Sequence, residues 1–182
     1  FEERRNNMQE STEIFLRKNF FFSLLMGGSF CLVAFIFYKS GHPAALESTG
    51  NNILLLLSVS GMYIGGKTFR DEANKGIISY GKALAVMFFI IGCASIIYGI
   101  FIFSLYSSDP EFFNLYKESL EVIVREQLSG EYRELADFIK EATTPAVIAF
   151  SSVFRMLFLG FIFALPTAQF IKKKPINRHS SK

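Results

Sequence analysis

Tryptophan is absent from the 182 residues, histidine and cysteine occur twice each, and proline only five times. These scarcities exclude several chemistries. His42 and His179 have no metal-ligand or nucleophile neighbour at helical spacing, and no His-Glu-x-x-His occurs, so a hydrolase or metalloenzyme has nothing to build on. Cys31 and Cys93 sit singly inside apolar runs, where a thiol is a small packing group, and they imply neither a disulfide framework nor a metal site. Gly65-Gly66-Lys67-Thr68 imitates a phosphate loop but lacks the earlier glycine and follows no strand. The expectation is a chain that is not an enzyme, with no cofactor, no metal and no nucleic-acid partner.

What is present is apolar. Hydrophobic residues make up 51% of the chain, charged residues only 19%, and phenylalanine alone accounts for 22 positions. Residues 83–106 contain no charged side chain and reach about 36 Å as a helix, enough to cross a hydrocarbon core of about 30 Å. Three further runs flank it. The pattern predicts an all-α polytopic membrane protein, a single domain over residues 1–182, with transmembrane helices at about 20–38, 51–69, 83–106 and 146–171. Residues 1–19 read as a short interfacial helix feeding the first span. That span lacks a small-residue cleavage site and reads as retained. The second span is short, because Lys67 arrives early. Lys67 and Arg70 extend it by snorkelling, and Gly61 and Gly65 form a Gly-x-x-x-Gly packing pair.

Residues 109–143 differ in kind. Asp109-Pro110 is a strong helix start. Phe112, Phe113, Tyr116, Leu120 and Ile123 then recur at helical spacing among charges, which predicts an amphipathic segment of two short helices broken at Gly130. Thr143-Thr144-Pro145 starts the last span, with Pro166 a kink point near its end.

Charge placement gives orientation. Cations cluster in the N-terminal segment (Arg4, Arg5, Arg17, Lys18), the second loop (Lys67, Arg70, Lys75, Lys82) and the tail (Lys172, Lys173, Lys174, Arg178, Lys182). The first loop has only Lys39, and the segment after the third span has four cations against nine acids. Cations mark the cytoplasmic side. Both termini and the second loop are therefore expected inside, and the amphipathic segment outside the cell membrane.

Arg155 is the one charge deep in a span, about 15 Å below Pro145. Such a charge costs at least about 2.5 kcal/mol unless it is paired or hydrated. Its side chain leans toward the helix N-terminus, the outer end, where Ser151 and Ser152 help to solvate it and Asp109, Glu111, a carbonyl or a lipid phosphate is the expected partner. Candidate partner- or lipid-binding residues are therefore Arg155, Ser151, Ser152, Phe113, Tyr116 and Leu120.

The sequence resembles the bacterial inner-membrane proteins of domain-of-unknown-function family 4199. The resemblance rests on residues 65–72 (GGKTFRDE), on residues 76–83 (GIISYGKA), on Asp109-Pro110-Glu111-Phe112-Phe113 and on the lysine-rich end of the last helix. It spans most of the chain from the first helix to Lys174 and implies a four-helix inner-membrane protein without established activity. It also implies an accessory subunit, with a membrane-associated polyprenyl-phosphate glycosyltransferase as partner, and it is silent on Arg155.

Two functional readings follow. One is a non-catalytic accessory or scaffold subunit of a membrane complex, bound to the lipid bilayer and to another subunit or to itself. The other is a small transporter or lipid-handling protein that uses Arg155 to bind an anion or lipid phosphate. A transport path needs polar groups converging near the midplane. Ser23, Ser29, Ser58, Ser60, Ser95 and Ser104 are scattered, which favours the first reading.

Overall fold

The computed structural model describes residues 2–43, 46, 48–127 and 133–173. Helices α1 (Glu2–Lys39), α2 (Ser48–Ala73), α3 (Tyr80–Ser108), α4 (Pro110–Gln127), α5 (Arg133–Ala142) and α6 (Pro145–Ile171) follow in that order. The break expected at Gly130 and the tail from Lys174 onward lie outside the described residues.

Local chemistry sets the helix starts. Ser79 accepts from the Lys82 amide to cap α3. Asp109 Oδ1 accepts from the Phe112 amide to cap α4, which has Pro110 at its first position. Thr144 accepts from the Val147 amide ahead of Pro145 in α6. Each supplies an oxygen to an otherwise orphaned N–H. One expectation needs correction. No separate interfacial helix precedes the first span, because α1 is a single helix of 38 residues. Residues 2–19 contain neither Pro nor Gly to interrupt it.

Helix–helix contacts fix the topology. Gly61 and Gly65 of α2 lie against Met26 and Phe22 of α1, so those helices run antiparallel. Phe15 meets Phe89 and Phe30 meets Tyr98, so α1 and α3 run parallel. Gly99 and Gly160 lie against Val153 and Ile91 across the α3–α6 seam, which is antiparallel. α1, α2, α3 and α6 thus form an up-down-up-down bundle with α3 touching the other three. Residues such as Val86, Ile90, Ala94 and Tyr98 of α3 are fully buried.

Three segments, Phe15–Lys39, Tyr80–Ser108 and Pro145–Ile171, are long and apolar enough to cross a membrane. Their outward faces carry large apolar side chains, including Phe150, Phe154, Phe158 and Phe170 on α6. α2 is less apolar, because its last turns hold Lys67, Arg70, Asp71 and Glu72. Those charges gather at one end of the bundle. Lys18 Nζ bonds Glu72 at 2.6 Å, and Arg70 Nη1 donates to the Ile171 carbonyl at 3.2 Å. The α2–α3 loop turns through Lys75 and Gly76, both with positive φ. Its Ile78 is pinned by a two-way backbone bridge to Lys173, at 3.2 and 3.1 Å.

The seam gives a test. A Cβ at Gly99 would collide with Val153 Cγ2, whereas one at Gly28 would meet nothing within 4 Å. Val153 is β-branched and cannot swing aside without leaving its rotamer. Gly99→Ala is expected to destabilise the bundle by about 1–3 kcal/mol. Gly28→Ala is expected to be neutral or stabilising. Thermal unfolding in detergent, followed by circular dichroism, compares the two.

Candidate functional site

The end of the bundle opposite the Lys18–Glu72 pair is built from aromatic rings around one carboxylate. Asp109 is the only residue between α3 and α4, so its backbone position is fixed by both helices. Tyr38 Oη, one residue from the α1 end, donates to Asp109 Oδ2 at 2.8 Å. A hydrogen bond to an ionised group is worth about 1.5–3 kcal/mol. The Phe112 N–H and the Tyr38 hydroxyl hold the Asp109 carboxyl below the usual carboxylate range. Phe112 packs edge-on to Tyr38 at 4.8 Å and face-on to Tyr106 at 5.4 Å. Tyr116 meets Tyr106 at 5.2 Å. Phe112 and Tyr116 are buried, and Phe113 and Leu120 pack partly buried against the same core. The apolar stripe of α4 therefore faces the bundle.

Arg155 is half-buried on the flank of α6. Its charge acts on two phenols, Tyr98 of α3 and Tyr116 of α4. Burial pushes the Tyr116 phenol up and the Arg155 charge opposes that shift. Tyr98 is next to Gly99, which faces Ala149 and Val153 of α6 across the seam. The Tyr98 hydroxyl is buried without a hydrogen-bond partner among the described residues. Asp109, one of the partners expected for Arg155, accepts from Tyr38 and from the Phe112 amide at the α4 N-terminus. Ser151 donates to the Ile148 carbonyl within its own helix at 2.9 Å, and Ser152 is buried.

α4 and α5 form a lobe held by charge. Glu121 bonds Lys140 Nζ at 2.6 Å and Arg125 Nη2 at 2.8 Å, and Arg125 also reaches Asp137 at 3.0 Å. α4 joins the lobe to α3 through Phe112, Phe113 and Tyr116, while Val122 on α4 and Phe138 on α5, 66% exposed, face outward. Two features were not expected. Asn19 is fully buried with both amide atoms unpartnered among the described residues. An open cleft of about 380 Å³ is lined by Tyr38, Lys39, Gly41, Asp109, Glu111, Phe112 and Leu115. Asn19 looks in sequence like the end of a polar leader, and only its position on the α1 inner face reveals its burial. The cleft joins residues some 70 positions apart, which no local pattern signals. Among the described residues, no group of three or more His, Cys, Asp or Glu is placed to hold a metal.

The lobe carries a pH dependence. The Lys140 ammonium, more than any other group, lowers the Glu121 carboxyl from its ordinary value. A depressed carboxyl stabilises the folded lobe fully above its unfolded pKa and loses that contribution as pH falls through the folded value. The α4–α5 contact is therefore expected to hold at pH 7 and to loosen below about pH 4. Spin labels at positions 117 and 141 should show a longer or broader distance distribution at low pH. Glu121→Gln should produce the same change at pH 7.

No curated protein and no solved structure matches the chain. The family model described as "Protein of unknown function (DUF4199)" matches residues 20–173. That range takes in the bundle, the Ile78–Lys173 bridge, the Tyr38–Asp109 corner and the α4–α5 lobe, and the chain accordingly belongs to this family of unknown function, DUF4199.

Proposed function

We propose that the protein is a non-catalytic accessory or scaffold subunit of a bacterial inner-membrane complex, whose α4–α5 lobe docks another membrane protein outside the cytoplasm. The observation that carries this reading is the lobe itself. Its charge network makes it a defined unit, its buried stripe ties it to the bundle, and Leu115, Val122 and Phe138 remain presented outward. The serines of the bundle helices support it too. Ser23, Ser29, Ser58, Ser95 and Ser104 each donate to a carbonyl of their own helix, which leaves those hydroxyls unavailable as a cross-helix polar lining. The partner implied by the family resemblance is a membrane-associated polyprenyl-phosphate glycosyltransferase, with self-association the alternative assembly.

In this reading all four bundle helices cross the membrane. α2 runs beside α1 from Gly61 and Met26 to Glu72 and Lys18, so it covers the same depth despite its charged end. Arg17, Lys18, Lys67, Arg70, Lys75, Lys82, Lys172 and Lys173 fall toward the end where α2 finishes, which is cytoplasmic by the positive-inside rule. Both termini are then cytoplasmic and α4 and α5 lie outside.

A second reading, an anion- or lipid-phosphate-handling protein, is favoured by the Arg155 charge acting on the unpartnered Tyr98 hydroxyl and on Tyr116. An acidic group reaching this region would meet a guanidinium and two phenolic donors.

Two measurements test the first reading. On a background lacking Cys31 and Cys93, a membrane-impermeant thiol reagent added from outside should label a cysteine at 118 and spare one at 75. The reverse pattern overturns the topology. Affinity purification in mild detergent from native membranes should recover a partner subunit, and Phe138→Ala should lower its recovery by about tenfold, as loss of an interface anchor does. Unchanged recovery moves the docking face away from the lobe. Loss of bound acidic lipid in Arg155→Leu and Tyr98→Phe, with partner recovery intact, would favour the second reading.

A further inference from the structure

The cleft where the end of α1 meets the start of α4 is lined by charges of both signs. Lys39, in the last turn of α1, supplies the cation. Its ammonium lies 5.4 Å from the Tyr38 ring centroid and 5.5 Å from that of Phe35, and among the described residues it has no carboxylate partner. Asp109 and Glu111 supply the carboxylates, and Phe112 and Leu115 add apolar surface. Asp109 accepts from Tyr38 at Oδ2 and from Phe112 N at Oδ1, and the Glu111 N–H also acts on its carboxyl, which leaves part of the carboxylate's four-site acceptor capacity open. Glu111 is exposed and has no ion-pair partner among the described residues.

The cleft also has a fixed relation to the apolar surface. Directly below Lys39 on the same face of α1 lie the exposed side chains Phe35, Ile36 and Leu32. A molecule in the cleft would therefore continue onto a surface suited to acyl chains, and the cleft stands where the apolar run of α1 gives way to polar residues.

We propose that this cleft binds the headgroup of a zwitterionic, primary-ammonium phospholipid, of the phosphoethanolamine type. Its phosphate sits on Lys39, its ammonium on Glu111 and the remaining lone pairs of Asp109, and its chains run down α1 along Phe35, Ile36 and Leu32. The opposed charges select the headgroup. An anionic headgroup brings no cation to the carboxylates and its net charge is repelled by them. A quaternary ammonium cannot donate hydrogen bonds to them. The proposal requires only that this end of the bundle lies at headgroup level, and it stands whether or not the lobe docks a partner.

Native mass spectrometry of the full purified chain, released from mixed micelles containing phosphatidylethanolamine, phosphatidylcholine and phosphatidylglycerol of matched chains, tests it. The ethanolamine lipid should be retained about tenfold more strongly than either of the others, the factor expected for one charge-assisted hydrogen bond. Lys39→Ala and Glu111→Gln, both at exposed positions, should each remove most of that preference, and Lys39→Arg should keep it. Soluble phosphoethanolamine separates the two sources of this chemistry. Displacement of the lipid at millimolar concentration assigns recognition to the headgroup alone, and retention of the lipid assigns it to headgroup and chains together. Equal retention of the three lipids, or a preference untouched by both Lys39→Ala and Glu111→Gln, overturns the proposal.

Discussion

The close approach of α3 and α6 is the constraint on which the rest of the bundle depends. In hydrocarbon the hydrophobic effect does not drive helices together, so association depends on packing at short range and on small residues that permit it. Gly99 and Gly160 permit it at two levels of the seam, against Val153 and Ile91. With that seam closed, Phe88 stacks on Phe161 at 5.1 Å. The opposite side of α3 then receives α1, where Gly27 sits against Ile97 and the Ala94 carbonyl. α2 closes the ring through Gly65 and Gly66, against Ile90, Met87 and Ile171. The phenylalanines left over on α6 point outward because the seam uses the small residues and leaves the large ones to the surroundings.

The two ends of the bundle are held by different physics. At the α2 terminus, ion pairs, a helix-end carbonyl bonded by Arg70 and the Ile78–Lys173 backbone bridge tie together segments from three parts of the chain. The run from Gly76 to Lys82 has one structural task per residue type. Gly76 turns, Ile78 bridges, Ser79 caps α3 and Lys82 reaches Asn74 while lying over Phe69. An exposed ion pair such as Lys18–Glu72 contributes only about 0–1 kcal/mol. The backbone bridge and the buried Ile78 do more to hold this end. At the other terminus, stacked aromatic rings and one carboxylate do the joining, with pairs each worth about 0.5–1.5 kcal/mol beyond their burial.

That second end also separates the two surfaces proposed for recognition. The lobe presents apolar side chains on a charge-braced hairpin and suits a protein partner. The cleft beside Lys39 presents opposed charges above an apolar wall and suits an amphiphile. Asp109 links them, since one carboxylate caps the first helix of the lobe and anchors Tyr38 at the cleft wall. A change at Asp109 would therefore disturb both surfaces at once, whereas Lys39 and Phe138 address them singly.

The sequence by itself determined what short-range chemistry controls. The helical class, the caps at Asp109 and Thr144, the apolar runs and the buried stripe of Phe112, Tyr116 and Leu120 were legible because each depends on residues within about two turns of one another. In the first helix, polar composition suggests two pieces where there is one, because no residue there interrupts the hydrogen-bond ladder. Only the tertiary structure decided that Tyr38 would meet Asp109, that the Arg155 charge would act on Tyr98 and Tyr116, that Ile78 would bridge Lys173 and that Asn19 would be buried. Those relations depend on helix rotation and register in the bundle. Both are set by which small residues let the backbones touch, a property of pairs of helices that no single stretch of chain contains.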